Sequence, residues 1–180
     1  TGAITASVQG NQSLLSTITG TNTNTTITAT GALSINQYHS IKETTANAIQ
    51  FSASGSITDD ISTLYDADLA ENRHADLHEA ITGDNNMNIV VQDTEITSNW
   101  DQVNAIAGGD YTGTITATLK GTAAQLTNSG NGWSNLNSTD SAIAFDITSG
   151  TASVAQIAIL ANAYGSNCGK ICLKIILESF

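Results

Sequence analysis

Proline is absent from the 180 residues, where ordinary composition would supply roughly nine. That absence argues against polyproline linkers and stalks. It suits strands that need a backbone partner on both sides. Cationic side chains are also scarce: five Lys and Arg stand against 16 Asp and Glu, for a formal charge of -11. A surface of that sign repels nucleic acid phosphates and anionic lipid and attracts cations, with calcium the obvious one in an extracellular setting. No apolar run reaches membrane length, so no membrane insertion is expected. No signal peptide stands at the start, and the chain begins abruptly before a strand-like stretch, Ile4–Val8, so it reads as a piece of a longer protein. Aromatics are only 5% of the chain, and alanine supplies much of the apolar 40%, so the core should be thin.

Thr, Ser, Asn and Ala fill the space these absences leave, and they recur with a rhythm. In Thr26–Ile41 a strand-like alternation, Ile27-Thr28-Ala29-Thr30, runs into Gly31. Ser34 then caps a short helix whose apolar face is Ile35, Tyr38 and Ile41. Similar strands begin near residues 4, 27, 49, 87, 112 and 142. Intervals of this size, in units too small to bury their own apolar face, mark a solenoid. The expected fold is α/β: a repetitive solenoid of short parallel strands with helices packed on one face. About six strand-turn-helix units fill residues 1–163, and residues 164–180 form an apolar tail that either caps the array as a strand or joins a next unit.

Period two assigns the faces. Ile27, Ala29, Ile49, Phe51, Ala53, Ile89, Val91, Ile115, Ala117, Ile143, Phe145 and Ile147 point inward. Thr28, Thr30, Ser52, Ser54, Thr116 and Thr118 point outward and form a hydroxyl-rich face, with Val90 an apolar exception. This face, with Trp133 on a Gly/Asn-rich loop, is the candidate binding surface for a glycan or a protein. The Thr-x-Thr spacing also admits an ice-binding solenoid. Asp59, Asp60, Asp66 and Asp68 surround the entry to the longest helical pattern, Asp66–Ile81, and are the candidate calcium ligands. They match no EF-hand or β-roll motif, and aspartates there also serve as helix caps. His74 and His78, four apart, would share a face of that helix and hold at most a weak metal site. Cys168 and Cys172 leave a disulfide open. No Gly-x-Ser-x-Gly elbow, phosphate loop or dinucleotide fingerprint occurs, and an enzyme is not expected.

The stretches TITATLKGTAAQL at 114–126 and DITSGTASVAQI at 146–157 resemble the Thr/Ala-rich repeats of very large bacterial, cyanobacterial-type, surface or secreted proteins. The resemblance touches most of residues 1–163 and rests on composition and rhythm. It implies an extracellular or cell-surface location and a structural or adhesive role. It brings no catalytic residues. Homo-oligomerisation through open solenoid ends is a further expectation.

Overall fold

The alternation of apolar and hydroxylated side chains is realised as parallel strands in two sheets. The computed structural model describes residues 6–18, 25–93, 96–128, 142–148 and 151–162. The first sheet runs β1 (Ala6–Gly10), β2 (Thr25–Ala29), β4 (Ile49–Phe51). The second runs β3 (Ala32–Leu33), β5 (Ser56–Asp59), β6 (Asn88–Val91), β7 (Ile115–Gly121), β8 (Ala142–Ile147). Every neighbouring pair is parallel, and in each sheet spatial order follows chain order. Parallel neighbours require a crossover. Helices supply it: α1 (Gln12–Leu15), α2 (Ile35–Lys42), α3 (Ile61–Leu64), α4 (Ala75–Gly83), α5 (Trp100–Ile106) and α6 (Ala123–Asn128), with α7 (Val154–Asn162) following β8. Each rung consists of one or two strands and the helices that follow them.

Register puts like on like. Ile27 lies beside Ile49, and Leu33, Ile57, Ile89 and Ile115 form one row across four strands. All six are fully buried. Apolar area removed from water is worth about 25 cal/mol per Å², so such rows carry much of the stacking energy in a chain with few aromatics. Where period two places side chains inward, Ile27, Ala29, Ile49, Ile89, Val91, Ile115, Ala117, Ile143 and Phe145 are buried. Ala53 is exposed instead, because β4 has already ended at Phe51.

Two expectations are corrected. The second and third rungs hold two strands each, not one. After Gly31 and again after Gly55 the chain bends into β3 and β5, which begin the second sheet. Gly55 permits the bend: a Cβ there would stand 2.5 Å from the carbonyl oxygen of Ala29. The helix expected over Asp66–Ile81 forms only in its second half. Residues Ala70–Asn72 make a single 3₁₀ turn, Glu71 and Asn72 have φ of 57° and 54°, and α4 starts only at Ala75. Left-handed backbone ends a right-handed helix.

Helix α2 forms as its sequence indicates. Ser34 and Gln37 make a reciprocal capping box, and Ile35, Tyr38 and Ile41 are buried. Among the described residues no helix is long and apolar enough to cross a membrane. Four expectations lie outside the described residues: the start of the first strand, the loop carrying Trp133, the Cys168–Cys172 pair and the apolar tail.

Candidate functional site

The hydroxyl face is divided between the sheets. Thr28 is half-buried in the first sheet, with Gln9 and Gln50 as its register neighbours. Thr116 is exposed in the second sheet between Val90 and Ala142, and Thr118, half-buried, lies beside Ala144. These threonines therefore do not stack on one another. Thr30, Ser52 and Ser54 do come together, at the corner where the chain passes from β4 to β5. Ser54 Oγ donates to the Thr30 carbonyl oxygen at 2.9 Å and lies 3.1 Å from Ser52 Oγ. Among the described residues this corner gathers three of the expected binding residues.

The aspartates serve backbone. Asp59 Oδ2 accepts from the amide of Ile35 at 3.1 Å, and its Oδ1 accepts from the amide of Asp60. Asp66 Oδ1 accepts from the amide of Asp68 at 3.0 Å, closing a local turn. Asp60 sits at the N-cap of α3 but makes no side-chain cap bond. The first amide of that helix is taken instead by Asp93 Oδ2 at 2.7 Å. Among the described residues no group of three or more His, Cys, Asp or Glu is arranged to hold a metal.

Those two contacts belong to a wider pattern. Asp84 accepts from the amide of Phe51 at 2.7 Å, at the outer edge of the first sheet. Thr45 Oγ1 donates to Thr25 O, and Asn88 Nδ2 donates to Ala53 O and Gly55 O. Thr112 Oγ1 donates to Asn85 O, and Trp100 Nε1 donates to Ile96 O and Lys120 O. Most of these bonds reach from one rung to the backbone of an adjacent one. Short polar side chains thus act as mortar between rungs. This accounts for part of the Thr, Ser and Asn content without a ligand.

Arg73 is the largest polar example. Its side chain is fully buried. Nε donates to Ile106 O at 2.8 Å, and a terminal nitrogen donates to Gly108 O, so the guanidinium caps the C-terminus of α5. Its carbon lies 6.0 Å from the centre of the Tyr111 ring, and Nη1 is 3.9 Å from the carboxylate of exposed Asp110. Burial lowers the arginine pKa, while Glu71, Asp110 and Tyr111 oppose the shift. The turn at Glu71 and Asn72 carries the chain into this position. The signal that could have exposed it is a lone Arg on an otherwise apolar stripe in a chain with so few cations.

His39 and His74 lie at the seam of α2 and α4. His39 Nδ1 is 3.1 Å from Asp76 Oδ1, and His74, the N-cap of α4, accepts from the amide of Asp76 at 3.2 Å. The hydrogen bond to Asp76 raises the pKa of His39 above its ordinary value. Lys42 and Glu79 pair across the same seam at 2.6 Å. A groove of about 270 Å³ opens between α1 and α2, lined by Leu15, Ile18, Gln37, Ile41 and Thr44 among others. Small-molecule sites usually span about 300–1,000 Å³. No protein-family model, curated protein or solved structure matches the chain.

Proposed function

We propose that this chain is a segment of a one-directional α/β solenoid and serves as a structural or adhesive module of a bacterial cell-surface or secreted repeat protein. The observation that carries the reading is rung-to-rung connection. Strand order follows chain order in both sheets, and the capping groups of one rung come from the next. A molecule whose polar groups are spent holding its own backbone is suited to spacing and bearing rather than to turnover. The acidic, proline-free composition and the resemblance of residues 114–126 and 146–157 to surface-protein repeats favour an extracellular setting. Single-molecule pulling from the two ends tests the architecture. A solenoid unravels in successive steps of about one rung, whereas a single all-or-none rupture overturns that part of the reading.

A second reading is glycan or calcium-dependent binding, favoured by the Thr30–Ser52–Ser54 corner. A glycan screen on the wild type and Ser54→Ala, together with thermal melts in EDTA and in millimolar calcium, decides it. Binding lost on substitution, or a calcium-specific rise of several degrees, moves the assignment to this reading.

A further inference from the structure

We propose that His74 is a proton-gated cap: acid withdraws its side chain from the start of α4 and pairs the ring with the carboxylate of Asp76. In the structure His74 Nδ1 accepts the amide of Asp76 at 3.2 Å. An amide can only donate, so this nitrogen is the unprotonated one and the ring's proton sits on Nε2. Helix starts usually take Ser, Thr, Asn or Asp as the cap, and none of these loses its acceptor between about pH 5 and 8. The chain is rich in Ser, Thr and Asn and has only three histidines, yet a histidine holds α4.

The alternative partner is already in place. Asp76 Oδ2 stands 3.7 Å from the same Nδ1, while Asp76 Oδ1 is 3.1 Å from His39 Nδ1 across the seam to α2. A proton taken from water by His74 Nδ1 turns an acceptor into a donor. The ring then faces an amide that also donates, and it carries positive charge at the positive end of a helix. Both effects drive it off the amide. The carboxylate offers the acceptor it then needs, and the Asp76 side chain is only 18% exposed, which strengthens its pull on a cation.

The neighbouring charges leave this exchange to the histidines. Helix α4 packs against α2, β4 and the 3₁₀ turn. From α2 come His39, Lys42, Glu43 and the phenol of Tyr38, which burial keeps neutral. Strand β4 brings no charge, and the 3₁₀ turn brings Glu71. Within α4 and its ends lie Arg73, Asp76, His78, Glu79 and Asp84. Lys42 is paired with Glu79, and Arg73 is committed to the end of α5. The two histidines on Asp76 therefore answer acid in opposite ways. Protonation strengthens the His39 contact and breaks the His74 cap, so acid moves the hold from the first turn of α4 to its seam with α2.

An NMR titration of the full chain from pH 8 to pH 5 tests this. At pH 8 the ring nitrogen shifts of His74 are expected to show Nδ1 bare and Nε2 protonated. On acidification the Asp76 amide should shift with the same midpoint as the His74 ring, and its protection from exchange should fall about fivefold. His74→Asn keeps an acceptor that does not titrate and should abolish the loss of protection, whereas His39→Asn should leave it in place. In acid the His74 ring should keep one orientation, read from unequal Hβ couplings, and Asp76→Ala should average them. Three results overturn the proposal: Nδ1 protonated at pH 8, a loss of protection that persists in His74→Asn or vanishes in His39→Asn, or Hβ couplings already averaged in the acidified wild type.

Discussion

The Oδ2 atom of Asp93 lies 2.7 Å from the backbone nitrogen of Ile61 and accepts the first amide of a helix in the rung before its own. Asp59 stands in the same relation to Ile35 at 3.1 Å. Helix starts carry unsatisfied amides and a partial positive charge, and a carboxylate answers both. In most proteins the capping residue directly precedes the helix. In this chain a carboxylate of the following rung also supplies the start, so one side chain completes a helix and fastens two rungs together.

Asp93→Ala and Asp59→Ala are each expected to lower stability by about 1 kcal/mol. Asparagine, which keeps an acceptor, should restore most of the loss. Urea denaturation monitored by circular dichroism measures it. An Asp93→Ala chain as stable as wild type would show that Asp60 can take over the cap.

Arg73→Met is expected to cost about 3 kcal/mol or more, because it leaves the carbonyls of Ile106 and Gly108 buried without their donor. Arg73→Lys should fare little better, since an ammonium cannot reproduce a planar fork. Asp110→Ala, at the exposed end of the ion pair, should change stability by less than about 1 kcal/mol. Denaturant midpoints for the three variants, compared at one pH, check this order.

Gly113→Ala should cost roughly 3 kcal/mol, at the severe end of overpacking. A Cβ there would fall 2.0 Å from Met87 O and 2.7 Å from Tyr111 Oη. Gly31→Ala, where the nearest atom would be 3.5 Å away in Asn11, is expected to change stability little. Thermal melts of the pair separate steric conflict from a general glycine effect.

His39 should titrate above its unperturbed value, about 6.5, and Asp76→Asn should return it there, as read from imidazole chemical shifts. The linkage follows from the direction. The folded pKa is raised, so the contribution of the pair is full below the unfolded pKa and is lost as pH rises through the folded one. Stability that increases over that window because of His39 would contradict the contact.

Much of this was legible in local pattern. Alternation in 27–30, 49–51, 89–91 and 115–119 gave the buried face, and Ser34 marked a helix start. What escaped was set over longer distances. Asp59 reaches back 24 residues and Asp93 back 32, and no local rule links a cap to a helix that far upstream. The pattern at 66–81 was misleading for a related reason. Leu77, Ala80 and Ile81 are buried on a true helix, but upstream of them the chain turns left-handed at Glu71 and Asn72 and brings Arg73 to the end of α5. A period computed from side chains alone does not register a backbone reversal of two residues. Strand alternation alone does not separate one sheet from two, and the bends after Gly31 and Gly55 put Thr28 in one sheet and Thr116 and Thr118 in the other.

The direction of the Asp59 and Asp93 contacts has a consequence for synthesis. A chain leaves the ribosome N-terminus first, so α2 waits for residue 59 and α3 waits for residue 93 before their first amides are satisfied. Each helix is therefore finished only when the following strand has emerged. Nascent folding should advance one rung behind elongation, with the newest helix always provisional.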